Sequence, residues 1–211
     1  MKLYLSPRAP NPRRVTMFIA EKGAGCFDHF ERIAVDLNAG EHRSPAFLAK
    51  SPLAKVPALE FPDGRVLTET RAICTWLEGQ APEPNLMGRD VEERAFIEMA
   101  DRRVEWGLLL GVANCIRHTH PGLAPLEQPQ FREFGESQGL KVREVARWLD
   151  RELASRPFMA GDRFTIADIT AFCALEFARG LMKLRPGDEG MAHLQGWRDR
   201  IADRPSATAM P

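Results

Sequence analysis

The stretch Lys55-Val56-Pro57-Ala58-Leu59-Glu60 leads through a Pro62-Asp63-Gly64 turn and Val66-Leu67-Thr68 into Glu69-Thr70-Arg71-Ala72-Ile73, and it decides the fold. Proline cannot donate to a sheet ladder, so Pro57 belongs at the first or edge position of a short strand over Ala58 to Phe61. A cis Val56-Pro57 bond suits that place. It would turn the backbone N–H and C=O of Val56 outward, where an extended peptide can pair with them as a further strand. A peptide-like ligand is therefore the first expectation.

Outward from this stretch, short strand-like and helix-like runs alternate. Strands are expected over Lys2 to Leu5, Phe30 to Val35, Ala58 to Phe61 and Val66 to Thr68. Helices are expected over Pro12 to Lys22, in a short segment ending near Lys50, and over Glu69 to Glu78. The order βαβ-α-ββα allows one parallel pair through a right-handed crossover and one antiparallel hairpin, together a small mixed sheet. Residues 81–88, with Pro82, Pro84 and Gly88, read as a linker between domains over 1–80 and 89–211. The second domain is expected to be all helical, with helices from about Asp90 to His118, Gln130 to Ser155, Ile166 to Met182 and Met191 to Asp203. Thr165-Ile166-Ala167-Asp168 has the form of a capping box, with Phe164 and Ile169 as the apolar staple. The fold class is thus α/β followed by all-α.

Composition excludes several functions. The 211 residues carry 29 basic and 29 acidic side chains, a balance that points away from nucleic acid and anionic membranes as main partners. The longest apolar stretch, around Trp106 to Ala113, is far short of a bilayer span, and Met1 to Ser6 runs at once into charge and proline. A soluble, cytoplasmic protein is expected. The four cysteines, Cys26, Cys74, Cys115 and Cys173, are widely spaced, without Cys-x-x-Cys or a histidine at ligand spacing. They read as reduced thiols, mostly core, and no metal site is expected.

Two helix starts carry the ligand chemistry. Asn11 is the expected N-cap of the first helix and Pro12 its first residue. Arg13 and Arg14 follow where the helix dipole favours anions, which suggests a bound anion, a carboxylate or thiolate, at this terminus. The plain alternative is that both arginines reach surface carboxylates. Glu69-Thr70 opens another helix, where free amides and the Thr70 hydroxyl can hold a carboxylate while Glu69 takes an ammonium group. An α-amino acid end carries both groups on one carbon.

With Lys55-Val56-Pro57-Ala58-Leu59, Glu69-Thr70-Arg71-Ala72-Ile73 and Thr165-Ile166-Ala167-Asp168 in this order, the whole chain resembles a cytosolic glutathione transferase of bacterial type. The resemblance implies a thioredoxin-like N-terminal domain, a cis Pro57, and a Val56 backbone that pairs with the cysteinyl part of glutathione. It implies Glu69 and Thr70 at the γ-glutamyl end, and Lys55, with His42 or Arg43, near the glycine carboxylate. Glutathione would be a co-substrate rather than a cofactor, a small hydrophobic electrophile the second substrate, and the assembly a homodimer through the third and fourth helices.

The departure from the family lies at the thiol. Relatives activate glutathione with Tyr, Ser or Cys after the first strand, and alignment on Arg14-Val15 puts Ala9 at that position. Alanine can neither donate to a thiolate nor move a proton. Asn11 is the expected donor and Ser6 the alternative. The thiolate is the nucleophile, and a helix N-terminus, one donor and the cations Arg13 and Arg14 suffice to draw a thiol pKa of about 8.5 toward neutrality. Trp106, Leu109, Leu110, Val112 and Ile116 offer an apolar wall for the electrophile between the domains, or else a helix core. Transfer of glutathione to an electrophile, or a related glutathione-dependent reduction, is the leading function. A non-catalytic glutathione-transferase-like binding or protein-interaction module is the alternative that Ala9 favours. A thioredoxin-type oxidoreductase lacks its Cys-x-x-Cys.

Overall fold

In a computed structural model, which describes residues 1–211, the chain forms two compact units, Met1–Leu86 with Pro205–Pro211, and Met87–Arg204. The sequence division at 80 and 89 differs in two respects: residues 81–88 are divided between the units at Leu86 and Met87, and residues 205–211 cluster with the first unit. Hydrogen bonds account for the second. Arg13 Nη2 donates to the Ala207 carbonyl at 2.9 Å, Thr16 Oγ1 lies 3.3 Å from the Ala209 carbonyl, and Ser206 donates to Glu21.

The first unit is a four-stranded mixed sheet in the order β2-β1-β3-β4. β1 (Lys2–Leu5) pairs parallel to β2 (Glu31–Ala34) and antiparallel to β3 (Ala58–Glu60), which pairs antiparallel to β4 (Val66–Thr68). α1 (Pro10–Glu21) makes the crossover that a parallel pair requires. The β3–β4 hairpin needs only a tight turn, closed by Gly64 at φ 86 and by the Phe61 amide on the Arg65 carbonyl at 2.9 Å. α2 (Pro45–Leu48) and α3 (Thr70–Gln80) complete this thioredoxin-like unit, with α3 packed on α1, β3 and β4. Leu3, Tyr4 and Leu5 are all buried, as expected of a strand covered on both faces. Tyr4 and Ala58 share one face with Val35 and Phe47.

One boundary corrects the sequence reading. α1 begins at Pro10 rather than Pro12, with Ala9 in the N-cap position at φ −88 and ψ 135, so Asn11 lies inside the first turn and caps nothing. Pro10 supplies a preset φ and lacks an N–H that would be orphaned there. Residues 81–88 are a firmly held connection, because Glu78 accepts from the Leu86 amide at 3.0 Å and pairs with Lys22, whose Nζ also donates to the Pro84 carbonyl at 2.8 Å.

The second unit is all helical, with α4 (Val91–Val104), α5 (Leu110–Thr119), α6 (Arg132–Leu153), α7 (Ile166–Leu181) and α8 (Ala192–Ala202). α7 is buried on every side from Ile166 to Leu175. The single helix expected over 90–118 is divided by a π turn, Glu105–Leu109, which inserts a residue and rotates the faces on either side. The apolar wall expected here separates accordingly. Leu109, Val112 and Ile116 are core, whereas Trp106 and Leu110 are 66% and 51% exposed. His118 and His120 serve as local acceptors, through Nδ1, for the amides of Phe131 at 3.0 Å and Gly122 at 3.1 Å. No helix is long and apolar enough to cross a membrane.

Candidate functional site

Strand register brings the expected site residues to one end of the sheet. Tyr4 faces Ala58 across β1 and β3, and Ala58 faces Thr68 across β3 and β4. Continued by two residues, the same registers set Ser6 opposite Val56 and bring Thr70 to the other side of Val56. β2 ends here too, with Ala34 beside Leu5 and the Val35 amide on the Leu5 carbonyl at 2.7 Å. The chain leaves β1 through a turn in which the Ala9 amide donates to the Ser6 carbonyl at 3.2 Å, so the N-terminus of α1 opens at the same end. Ser6, Val56 and Thr70 are thus neighbours by register, with Lys55 and Pro57 flanking Val56, Glu69 preceding Thr70 and Asn11 following Ser6 at the start of α1.

The Val56-Pro57 peptide is cis, and Val56 precedes the ladder rather than entering it. Its loop is held by Ser51, 1% exposed, whose Oγ accepts from the Lys55 amide at 3.1 Å and donates to the Lys55 carbonyl at 2.8 Å. Sequence reading missed Ser51; the only signal is that a loop serine readily bonds nearby backbone. At the start of α3, Glu69 has φ 67 and ψ 119, a region that a non-glycine residue adopts only when its surroundings impose it. Glu69 is exposed while Thr70 is buried, and the first-turn amides of α3 project along the helix axis out of its N-terminus. An exposed carboxylate beside a set of amides suits a zwitterionic end group. His42 is the buried residue of a 3-10 turn, Glu41–Arg43, between β2 and β3, and Arg43 is the exposed cation of that turn.

At the start of α1, two prolines thin out the usual fan of donors. Pro10 and Pro12 have no N–H, and the Arg13 amide donates to the Ala9 carbonyl at 3.4 Å. The Asn11 amide is what the first turn has left to offer from its backbone. Its side chain adds a second donor, since Oδ1 accepts from Arg14 Nη1 at 3.0 Å and leaves Nδ2 to face elsewhere. The cations do not sit together as the sequence suggested. Arg14 is buried beneath Asn11, and Arg13 turns to Ala207. The chain's single tyrosine, Tyr4, is committed to the sheet, with Oη on Glu60 Oε2 at 2.5 Å and Lys50 Nζ on the same oxygen at 2.8 Å. Burial, then the Glu60 contact, raises the Tyr4 phenol; Lys50, then Tyr4, lowers the Glu60 carboxyl.

Residues 9–80 match the family model for the glutathione S-transferase N-terminal domain, and residues 133–200 match that for the C-terminal domain. Glutathione S-transferase 2 of Saccharomyces cerevisiae is 38% identical over 207 residues, 98% of this chain and 87% of that protein. The chain belongs to the glutathione S-transferase family. Among solved glutathione transferase structures, that of a glutathione S-transferase domain-containing protein from Marinobacter aquaeolei has a TM-score of 0.93 at 41% identity, covering 99% of this chain and 100% of that one. Gtt2 from Saccharomyces cerevisiae has a TM-score of 0.91 at 35% identity, covering 98% of each. The transferase fold, a thioredoxin-like unit and a helical unit, therefore extends over the whole length of this chain.

Proposed function

We propose that this glutathione transferase holds its thiol substrate at the end of the sheet where Ser6, Asn11, Val56 and Glu69-Thr70 meet. The Val56 backbone pairs with the cysteinyl residue, Glu69 takes the γ-glutamyl ammonium, and Thr70 with the first-turn amides of α3 takes its carboxylate. Lys55 and His42, with Arg43, attend the glycine carboxylate. Asn11 donates to the sulfur and stabilises the thiolate that attacks a small hydrophobic electrophile, with Ser6 as the alternative donor. The observation that carries this reading is the convergence of these residues through strand register, together with the imposed backbone of Glu69.

A homodimer and a cytoplasmic role in detoxification complete the proposal. Exposed apolar side chains on α4, Val91, Phe96 and Met99, support the former as a face for a second copy. Retention on immobilised glutathione, turnover of an activated aryl chloride and the mass in solution test the whole. Thr70→Val should weaken glutathione binding about tenfold, the worth of one lost hydrogen bond. Failure of the unaltered protein to bind glutathione would overturn the site. Binding without turnover of aryl chlorides, epoxides, peroxides or mixed disulfides would favour the binding module that Ala9 suggests.

A further inference from the structure

A side-chain amide can help a thiolate in only one of its two orientations. Nδ2 donates, Oδ1 only accepts, and a half-turn about the last bond exchanges two groups of nearly equal size. Something must therefore choose the orientation of Asn11. Arg14 lies three residues on, on the same face of α1, with Nη1 3.0 Å from Asn11 Oδ1. A guanidinium carries donors only, so the end of the amide that meets it has to be the oxygen. Arg14 is 1% exposed, so its guanidinium meets Asn11 inside the unit rather than in solvent. The same turn is anchored on its other side, where Arg13 Nη2 donates to the Ala207 carbonyl at 2.9 Å and Thr16 Oγ1 lies 3.1 Å from the Arg13 carbonyl.

We propose that Arg14 is a positioning residue for thiol activation: by holding Asn11 Oδ1 it turns Nδ2 toward the sulfur of bound glutathione. The proposal rests on the reading that Asn11 is the thiolate's donor. It also gives the buried cation a reason to be there, since a hydrophobe of similar volume would pack without desolvation cost but would leave the amide free to flip.

The test is a double-mutant cycle read as the pKa of the glutathione thiol in the binary complex, titrated by thiolate absorbance. Asn11→Ala should raise that pKa by about 1 to 2 units, the worth of one charge-assisted hydrogen bond. Arg14→Met should raise it by a similar amount, Arg14→Lys, which also carries donors only, should restore part of it, and Arg14→Met should add nothing in the Asn11→Ala background. A thiol unmoved by Asn11→Ala sinks the Asn11 reading itself. If Asn11→Ala acts while Arg14→Met shifts the thiol equally in both backgrounds, the reading stands and the positioning role is overturned. Should Arg14→Met not fold, nitrogen NMR of the unaltered complex decides: the Asn11 amide and Arg14 guanidinium signals should titrate together with the thiol, and an Arg14 signal that stays still refutes the proposal.

Discussion

Replacing Asp168 tests the packing of the helical unit most severely. Its carboxylate is fully buried at the start of α7 and meets four donors: the Met159 amide and Trp197 Nε1 on Oδ1, both at 2.9 Å, and the Thr165 amide at 3.0 Å and hydroxyl at 3.3 Å on Oδ2. Asp168→Ala strands two backbone amides and an indole N–H, each costing roughly 1 to 3 kcal/mol, so a loss of about 3 to 9 kcal/mol is expected. That is a large part of the roughly 5 to 15 kcal/mol that holds a domain folded. Asp168→Asn keeps the shape and asks a subtler question. Burial pushes the Asp168 carboxyl up to about 6 despite the lowering by its hydrogen bonds. Between the unfolded value of 3.8 and 6 the folded state therefore holds a proton that the unfolded state has released. This contribution is fully present below 3.8 and is lost as pH rises through 6, so the native protein gains about 1 kcal/mol from this group between pH 7 and pH 5. Asparagine does not titrate. The cost of Asp168→Asn, measured by urea unfolding followed through tryptophan fluorescence, should accordingly grow by about 1 kcal/mol from pH 7 to pH 5. A cost that shrinks on acidification would mean that the four hydrogen bonds outweigh desolvation, and would refute the reasoning.

Three further outcomes are expected. Tyr4→Phe should leave glutathione turnover unchanged, because the phenol is spent on Glu60; a loss of turnover beyond tenfold at unchanged fold would return a tyrosine to the chemistry. Glu69→Gly relieves a positive φ and should raise unfolding stability by up to about 1 kcal/mol while weakening retention on glutathione; a clear loss of stability would show that the backbone there is not under strain. Lys22→Ala removes a buried cation from Glu78 and the Pro84 carbonyl, and chemical unfolding should register a loss of about 3 to 5 kcal/mol. A loss under 1 kcal/mol would show that residues 81–88 are held by packing alone.

What could be read in advance depended on whether the signal was local. Pro57 announces its own place because a missing donor restricts where a residue can stand in a sheet, and Thr165 with Asp168 announces α7 because both halves of the box lie within one turn. The start of α1 misled because Asn11 is a strong capping residue and Ala9 carries no signal, while Pro10 and Pro12 are both acceptable first residues. Glu69 showed its charge but not its φ, which neighbouring structure imposes. The hold of Arg14 on Asn11 has a legible spacing, but spacing alone does not tell a buried guanidinium from an exposed one. Ser51 and the docking of residues 205–211 on α1 depend on tertiary contacts that leave no periodic trace.

That docking makes assembly order differ from chain order. Arg13 and its partner Ala207 are 194 positions apart, and at ribosomal rates of about 5 to 20 residues per second roughly ten seconds or more separate their synthesis. The sheet and α1 emerge first, yet the outer face of α1 stays uncovered until the entire helical unit has been made. The unit that would receive glutathione is begun before the helical unit and completed after it.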